Sequence, residues 1–125
     1  MQDWAGVMTA LKWKIEFYET RSGRCPTQEF LDSLEAKELV LTTHGMERLE
    51  TYGPTLRRPH VDYLRDDIYE LRVRVPGGNL RFFYFFFDGR KIVVTHAIKK
   101  KTAEVPPKEI DRAIACREEY LRRSR

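Results

Sequence analysis

Tyr69-Glu70-Leu71-Arg72-Val73-Arg74-Val75, then Pro76-Gly77-Gly78-Asn79, then Leu80-Arg81-Phe82-Phe83-Tyr84-Phe85-Phe86-Phe87, then Asp88-Gly89, then Ile92-Val93-Val94-Thr95-His96-Ala97-Ile98 and Lys99-Lys100-Lys101: this stretch decides the fold. Runs of β-branched and aromatic residues separated by Gly-containing turns predict three antiparallel strands in a meander. Strand side chains alternate between faces, so parity sorts them. Tyr69, Leu71, Val73 and Val75 oppose Glu70, Arg72 and Arg74. Leu80, Phe82, Tyr84 and Phe86 oppose Arg81, Phe83, Phe85 and Phe87. Ile92, Val94, His96 and Ile98 oppose Val93, Thr95, Ala97 and Lys99. With simple in-register pairing, one face collects Arg72, Arg81 and Lys99, a cationic site that asks for an anion.

Outward from this stretch, the chain reads as one domain. Its 125 residues suffice for a core. A composition of 42% hydrophobic and 34% charged residues is that of a globular chain, not a disordered one. No apolar run is long enough for a membrane span, and the first residues lack a secretory layout, so a cytoplasmic protein is expected. A net charge of +4 with a pI near 9.2 permits a nucleic-acid partner. Cys25 and Cys116 lack CxxC spacing and are expected as free thiols. His44, His60 and His96 lack metal-ligand spacing, and no Walker loop, GxGxxG or GxSxG occurs, so neither metal nor cofactor is expected.

Residues 1–10 are expected to form a poorly ordered extension to a single domain over 11–125. Leu11, Trp13, Ile15 and Phe17 alternate with polar residues, which predicts a strand with one wet face. Pro26 suits the first position of a helix that buries Phe30, Leu31 and Leu34. After a break near Glu35–Lys37 a second helix buries Leu39, Thr43, Met46 and Leu49 and stops at Gly53-Pro54. Leu56 to Leu64 is extended, because Pro54 just before it and Pro59 within it exclude a helix. A last helix runs from about Pro107 to Arg122, with a basic tail at its negative end.

In this order the chain resembles the RelE/HigB family of toxins from bacterial toxin–antitoxin modules, and more narrowly its phage-derived HigB-like branch. The likeness rests on Trp13-Lys14-Ile15-Glu16-Phe17-Tyr18, Pro26 with Glu29-Phe30-Leu31, and Asp67-Ile68-Tyr69-Glu70-Leu71-Arg72. It continues through Arg81 with Tyr84-Phe85-Phe86, Ile92-Val93 to His96, Lys99-Lys100, and Pro107 with Glu109-Ile110 and Ala113. The resemblance implies an α+β fold: an N-terminal helical hairpin packed on a curved antiparallel sheet with a C-terminal helix. It implies a metal-free endoribonuclease, an mRNA interferase that cuts ribosome-bound mRNA and so inhibits translation. It also implies a cognate antitoxin encoded next to it, commonly a helix-turn-helix protein. Two positions depart from the family pattern: Ala97 stands where a Gly often follows the strand histidine, and Val105-Pro106-Pro107 lacks the usual Thr cap.

By this resemblance Arg81 matches the catalytic arginine, with Arg72 and Lys99 as its companions and Lys100 the alternative to Lys99 if the strand bulges. RNA cleavage by a 2′-OH passes through a phosphorane with added negative charge, which a preorganised guanidinium stabilises. The alternative is a solvated sheet face on which Arg72 and Arg81 pair with Glu70 and Glu16. Arg57, Arg58, Arg74, Lys101, Arg122 and Arg123 are candidate RNA contacts. His60 and His96 are further candidates for proton transfer. Parity sets His96 with Ile92, Val94 and Ile98, facing the helices, where a hydrogen-bonded core histidine is the favoured reading. Phe83, Phe85 and Phe87 would be covered by a helix or the antitoxin, or stack on bases. Two rival functions remain: a ParE-like toxin that inhibits a target such as DNA gyrase by binding alone, and an inactive prophage remnant that only binds an antitoxin.

Overall fold

The structure is a computed structural model describing residues 12–125, so the expected extension over 1–10, and Leu11, lie outside the described residues. Its strands are β1 (Lys14–Phe17), β2 (Val61–Arg65), β3 (Ile68–Val75), β4 (Gly78–Phe87) and β5 (Lys91–Lys100). They form one sheet in the order β1-β5-β4-β3-β2. All neighbours are antiparallel except β1, which runs parallel to β5. Helices α1 (Pro26–Asp32) and α2 (Ala36–Tyr52) form the N-terminal hairpin, and α3 (Pro107–Arg123) closes the chain. This is the α+β arrangement that the resemblance implies.

The meander is one strand longer than the sequence reading. Asp66 and Asp67 both take positive φ, 50° and 66°, the left-handed pair of a two-residue hairpin loop. Asp tolerates that region through its short polar side chain, but Asp-Asp lacks the glycine that flags such turns in a sequence. The main-chain N–H of Asp67 also donates to the Tyr63 hydroxyl at 3.2 Å. β2 is thereby folded back onto β3. The next loop, Pro76-Gly77, needs its glycine, because φ there is 82°.

One irregularity corrects the parity argument. Phe83 pairs with His96 but Tyr84 pairs with Val94, so Thr95 is an extra residue bulged out of register. Every side chain of β5 after Thr95 is therefore exchanged between faces. Lys99 lies opposite Leu80, not beside Arg81. Ile98 and His96 join Arg81 and Phe83, and Lys100 pairs with Asn79 on that same face.

The two faces bury different things. On the hairpin side, Leu71, Val73, Leu80, Phe82, Tyr84, Ile92 and Val94 form a core with Leu49, and Phe30 and Leu31 pack against it. Phe30 meets Phe82 edge to face at 5.6 Å. The expected stripe of α2 is off by about one position: Glu38, Thr42, Gly45 and Leu49 are the buried residues, while Leu39 and Thr43 are exposed. Glu38 belongs inside because it closes a capping box with Glu35 and receives Lys99. Gly45 belongs there because a Cβ would sit 3.1 Å from Val73 Cγ2.

On the other side, α3 covers Phe83 and Phe85 with Ala113, Ile114 and Tyr120. Tyr120 packs edge-on against Phe85 at 5.5 Å and Phe87 at 5.1 Å. A helix of the chain itself is thus the cover for the three phenylalanines; Phe83 and Phe85, fully buried, contribute roughly 1.5–3 kcal/mol each, and the half-buried Phe87 less. Ion pairs of Arg65 with Asp111 and Arg117 with Asp67 clasp α3 to the β2–β3 turn.

Candidate functional site

Arg72 and Arg81 face each other across β3 and β4, and the carboxylate of Glu70 lies between them. Arg72 Nε donates to Glu70 Oε1 at 2.7 Å, and Arg81 Nη1 donates to both Glu70 oxygens at 3.0 Å. Arg72 Nη2 reaches Asp62 at 3.3 Å, and Arg58 grips Asp62 through two bonds of 3.1 and 3.0 Å. Three guanidinium groups against two carboxylates leave this side-chain network with one net positive charge. Glu70 is fully buried and Arg81 is 1% exposed, whereas Arg72 is partly exposed. The pairing with Glu70 weighed at the sequence level is present, but inside the protein instead of on a wet surface. Glu16 goes elsewhere, to Lys91 and the Tyr120 hydroxyl.

Arg81 is nearly saturated. Its Nη2 donates to the carbonyl of Thr102 at 3.1 Å, in the loop that leads to α3. Its Nε finds no partner among the described residues. Arg72 is the arginine of the pair that a ligand can reach.

It opens into a cleft of about 710 Å³. Arg48, Arg72, Arg74, Arg81 and Lys101 bring five cationic side chains to its lining; His44, His60 and Asn79 add polar groups, and among the described residues no carboxylate lines it. The cleft wraps the part of β3 that extends beyond its pairing with β2, so it takes α2 side chains from one face and sheet arginines from the other. Arg48 Nη1 lies 3.3 Å from His60 Nδ1. A guanidinium can only donate, so Nδ1 accepts and the ring proton sits on Nε2. The His60 carbonyl accepts the Arg72 main-chain N–H at 2.8 Å, which ties the turn to β3.

Of the sequence candidates, Arg72, Arg74, Arg81, Lys101 and His60 meet in this cleft. Lys99 does not: the bulge turns it to α2, where Nζ contacts Glu38 Oε2 at 2.8 Å. That hydrogen bond is the main reason the Glu38 carboxyl is held below its usual pKa. Lys100 takes the parity first assigned to Lys99. Arg57 and Arg58 stand on the far side of the turn, where Arg57 donates to the Pro54 carbonyl at 2.8 Å. Arg123 pairs with Glu119 at 2.8 Å and sits over the Tyr18 ring, in a separate depression lined by Glu16 and Glu19. Arg122 precedes it, exposed at the end of α3.

His96 is a core histidine, on the α3 side and not the hairpin side. It stacks on Phe83 at 4.8 Å, and its Nε2 and Nδ1 meet Glu109 at 3.1 Å and Thr95 Oγ1 at 3.0 Å. Burial, reinforced by the nearby Arg112 charge and opposed by Glu109, pushes its pKa down to about 4. Neutral His96 then donates from Nε2 to Glu109 and accepts at Nδ1 from Thr95.

Sequence reasoning missed Arg48, His44 and Asn79. A signal for two of them existed: Leu41, His44 and Arg48 recur at three and four residues, a helical strip beside the buried one.

A family model described as "Phage derived protein Gp49-like (DUF891)" matches residues 29–118, which contain every residue lining the cleft. A search of curated proteins gives no match. Among the described residues no helix is long and apolar enough to cross a membrane. The matched segment is 90 of the 125 residues, so the chain belongs to the phage-derived Gp49-like family, within the RelE/HigB-like toxin superfamily.

Proposed function

We propose that this protein is the toxin of a toxin–antitoxin module and, like HigB, a metal-independent endoribonuclease that cuts ribosome-bound mRNA in the cytoplasm. The observation that carries the reading is the cleft with five cationic side chains and, among the described residues, no carboxylate in its lining. Such a surface attracts a polyanion and offers no anionic ligands for a divalent ion. In this reading Arg74, Lys101 and Arg48 hold backbone phosphates. Arg72 meets the scissile phosphate and stabilises the charge that develops on it. Arg81 acts behind it by fixing Glu70 and adds its own positive field. Lys100, on the Arg81 face, supplies a further cation, and His60 is the candidate for proton transfer. Lys99, turned to α2, acts only if its pair with Glu38 opens. Arg57, Arg58, Arg122 and Arg123 contribute at a distance to ribosomal RNA affinity. The partners are mRNA, the ribosome and a helix-turn-helix antitoxin encoded nearby.

A second reading also has an observation behind it. Arg72, Arg81 and Lys99 are each paired with a carboxylate, as residues of a ParE-like binder or an inactive remnant could be. Cleavage of mRNA on translating ribosomes decides between them. Wild type should cut in excess EDTA when polyamine holds the ribosomes intact. Arg72→Ala should cut on the order of 100–1000-fold more slowly, by analogy with loss of an oxyanion donor. Arg74→Ala with Lys101→Ala should mainly weaken binding and lower its salt dependence. A wild-type protein that arrests growth without cutting RNA would replace the nuclease reading with the binding one.

A further inference from the structure

On the other side of the Leu56–His60 turn lies a second depression, of about 390 Å³. That is within the range for small-ligand sites, roughly 300–1,000 Å³. Tyr63, Tyr69, Tyr84 and Phe86 line it, and the turn contributes Arg57 and Arg58. Tyr69 and Tyr84 stack at 5.5 Å with planes 17° apart, and Tyr63 stands edge-on to Tyr69 at 5.0 Å. Tyr63 is 51% exposed, so part of its ring is in solvent. Burial raises the Tyr84 phenol well above its usual pKa, so this wall keeps its hydroxyl proton as a donor.

The charges here decide what kind of occupant fits. Arg58 and Asp62 neutralise each other. The Arg57 guanidinium is held by the main-chain carbonyls of Pro54 and Leu56, and among the described residues no carboxylate neutralises it. The cationic cleft begins at Pro59 and His60, the next residues of the same turn. A chain with flat apolar rings and an anionic backbone matches both surfaces; an apolar peptide side chain would use only the rings.

We propose that this depression is a nucleobase pocket, in which one base of an RNA strand lying in the cationic cleft stacks on the exposed Tyr63 ring, with its edge toward Tyr69 and its phosphate at Arg57. The proposal rests on the RNA-binding part of the function proposed above and deepens it, because one base would be read by the toxin itself. Every base has a π-face, so the stack itself tolerates any base; selection would come from the hydrogen bonds that Tyr84 can make.

The test uses a single-stranded RNA dodecamer and a set of dodecamers each carrying one abasic site, titrated against the full chain. One abasic position should lose on the order of 10-fold in affinity, the loss of one stacked base. Tyr63→Ala should cost a similar factor with the intact RNA and nothing further with that abasic RNA, the non-additivity of a shared contact. Tyr63→Phe should bind as wild type, and an unchanged thermal midpoint shows that the variants are folded. Arg57→Ala should lower the salt slope by the share of one phosphate. If the dodecamer binds but Tyr63→Ala binds it as tightly as wild type, the pocket is not a base site and the cleft proposal stands. If that variant also loses the co-expressed antitoxin, the occupant is a protein side chain and the proposal is overturned. If wild type binds no RNA, the proposed function fails first.

Discussion

The two faces of the central sheet are built by different physics. Toward α1 and α2 the sheet presents Leu71, Val73, Leu80, Phe82, Tyr84, Ile92 and Val94, a surface held by apolar burial. Toward α3 and its loop it presents phenylalanines together with Glu70, Arg81 and His96, all nearly or wholly inaccessible to water. An apolar face degrades gradually, by cavity volume, when side chains are trimmed. A face with buried charges is all or nothing, because removing one partner strands the other. The candidate site therefore draws its sheet arginines from the less forgiving side of the molecule.

The sharpest way to break this comparison is Arg81→Ala. It leaves the fully buried Glu70 carboxylate with only Arg72, and should destabilise the fold by about 3–5 kcal/mol. Removing both Arg81 and Glu70, with apolar replacements, should recover much of that loss. A urea midpoint for Arg81→Ala close to wild type would mean that the pair does not carry the face. The result also governs how toxicity assays are read, since an inactive Arg81→Ala would report unfolding before it reported chemistry.

Next in size is the pH response. The folded-state pKa of His96 is about 4, against about 6.5 in an unfolded chain. Between those values the unfolded state binds more protons, so stability rises with pH. The contribution is complete above about pH 6.5 and is lost as the pH falls toward 4, on the order of 2–3 kcal/mol in all. Denaturant midpoints measured across this window should slope in wild type and flatten in His96→Gln. Equal slopes in the two proteins would remove His96 as the cause.

A smaller effect sharpens the packing side of the contrast. Ala113 is fully buried among the α3-facing cluster, so Ala113→Leu should overpack it and cost about 1–3 kcal/mol. Thermal midpoints measure this; a stabilised variant would reveal unfilled space under α3. The smallest effects concern the lysines. Lys101→Ala should lower the salt slope of RNA binding by about 0.7, one phosphate on a single strand, while Lys99→Ala should leave it unchanged. A reversal would put Lys99 in the cleft and the bulge in doubt.

That bulge also marks where the sequence stopped being legible. The α+β class, the hairpin of helices, the break near Glu35, and α3 from Pro107 all follow from periodicity and punctuation. Arg72 beside Arg81 follows from parity alone, because the β3–β4 register is regular. Lys99 and His96 were misplaced because a bulge at Thr95 leaves no composition signal: the residues on either side are as β-prone as their neighbours. β2 was read as extended chain but not as a strand of the meander, because Asp66-Asp67 turns without glycine. The stripe of α2 was read correctly at Leu49 but not toward its start, because Glu38 goes inward as a cap and the partner of Lys99, and Gly45 for close approach, instead of for hydrophobicity. The cleft needed three dimensions, since Arg48 and Lys101 are far apart in sequence and nothing local relates them.

The parallel pairing of β1 with β5 has a consequence for how the chain assembles. Lys14 partners Lys91, so β1, synthesised well before β5, must wait for it. Strands β2 to β5 are linked by short hairpins and close small loops, whereas docking β1 closes a large one, whose entropic cost grows with its length. We expect the β2–β5 sheet to form first and β1 to join after the rate-limiting step. Ile15→Val should then speed unfolding while leaving the folding rate unchanged; a slowed folding limb in stopped-flow measurements would place β1 in the nucleus instead. On this order of events, a nascent chain has its hairpin sheet before its outer edge at β5 is covered.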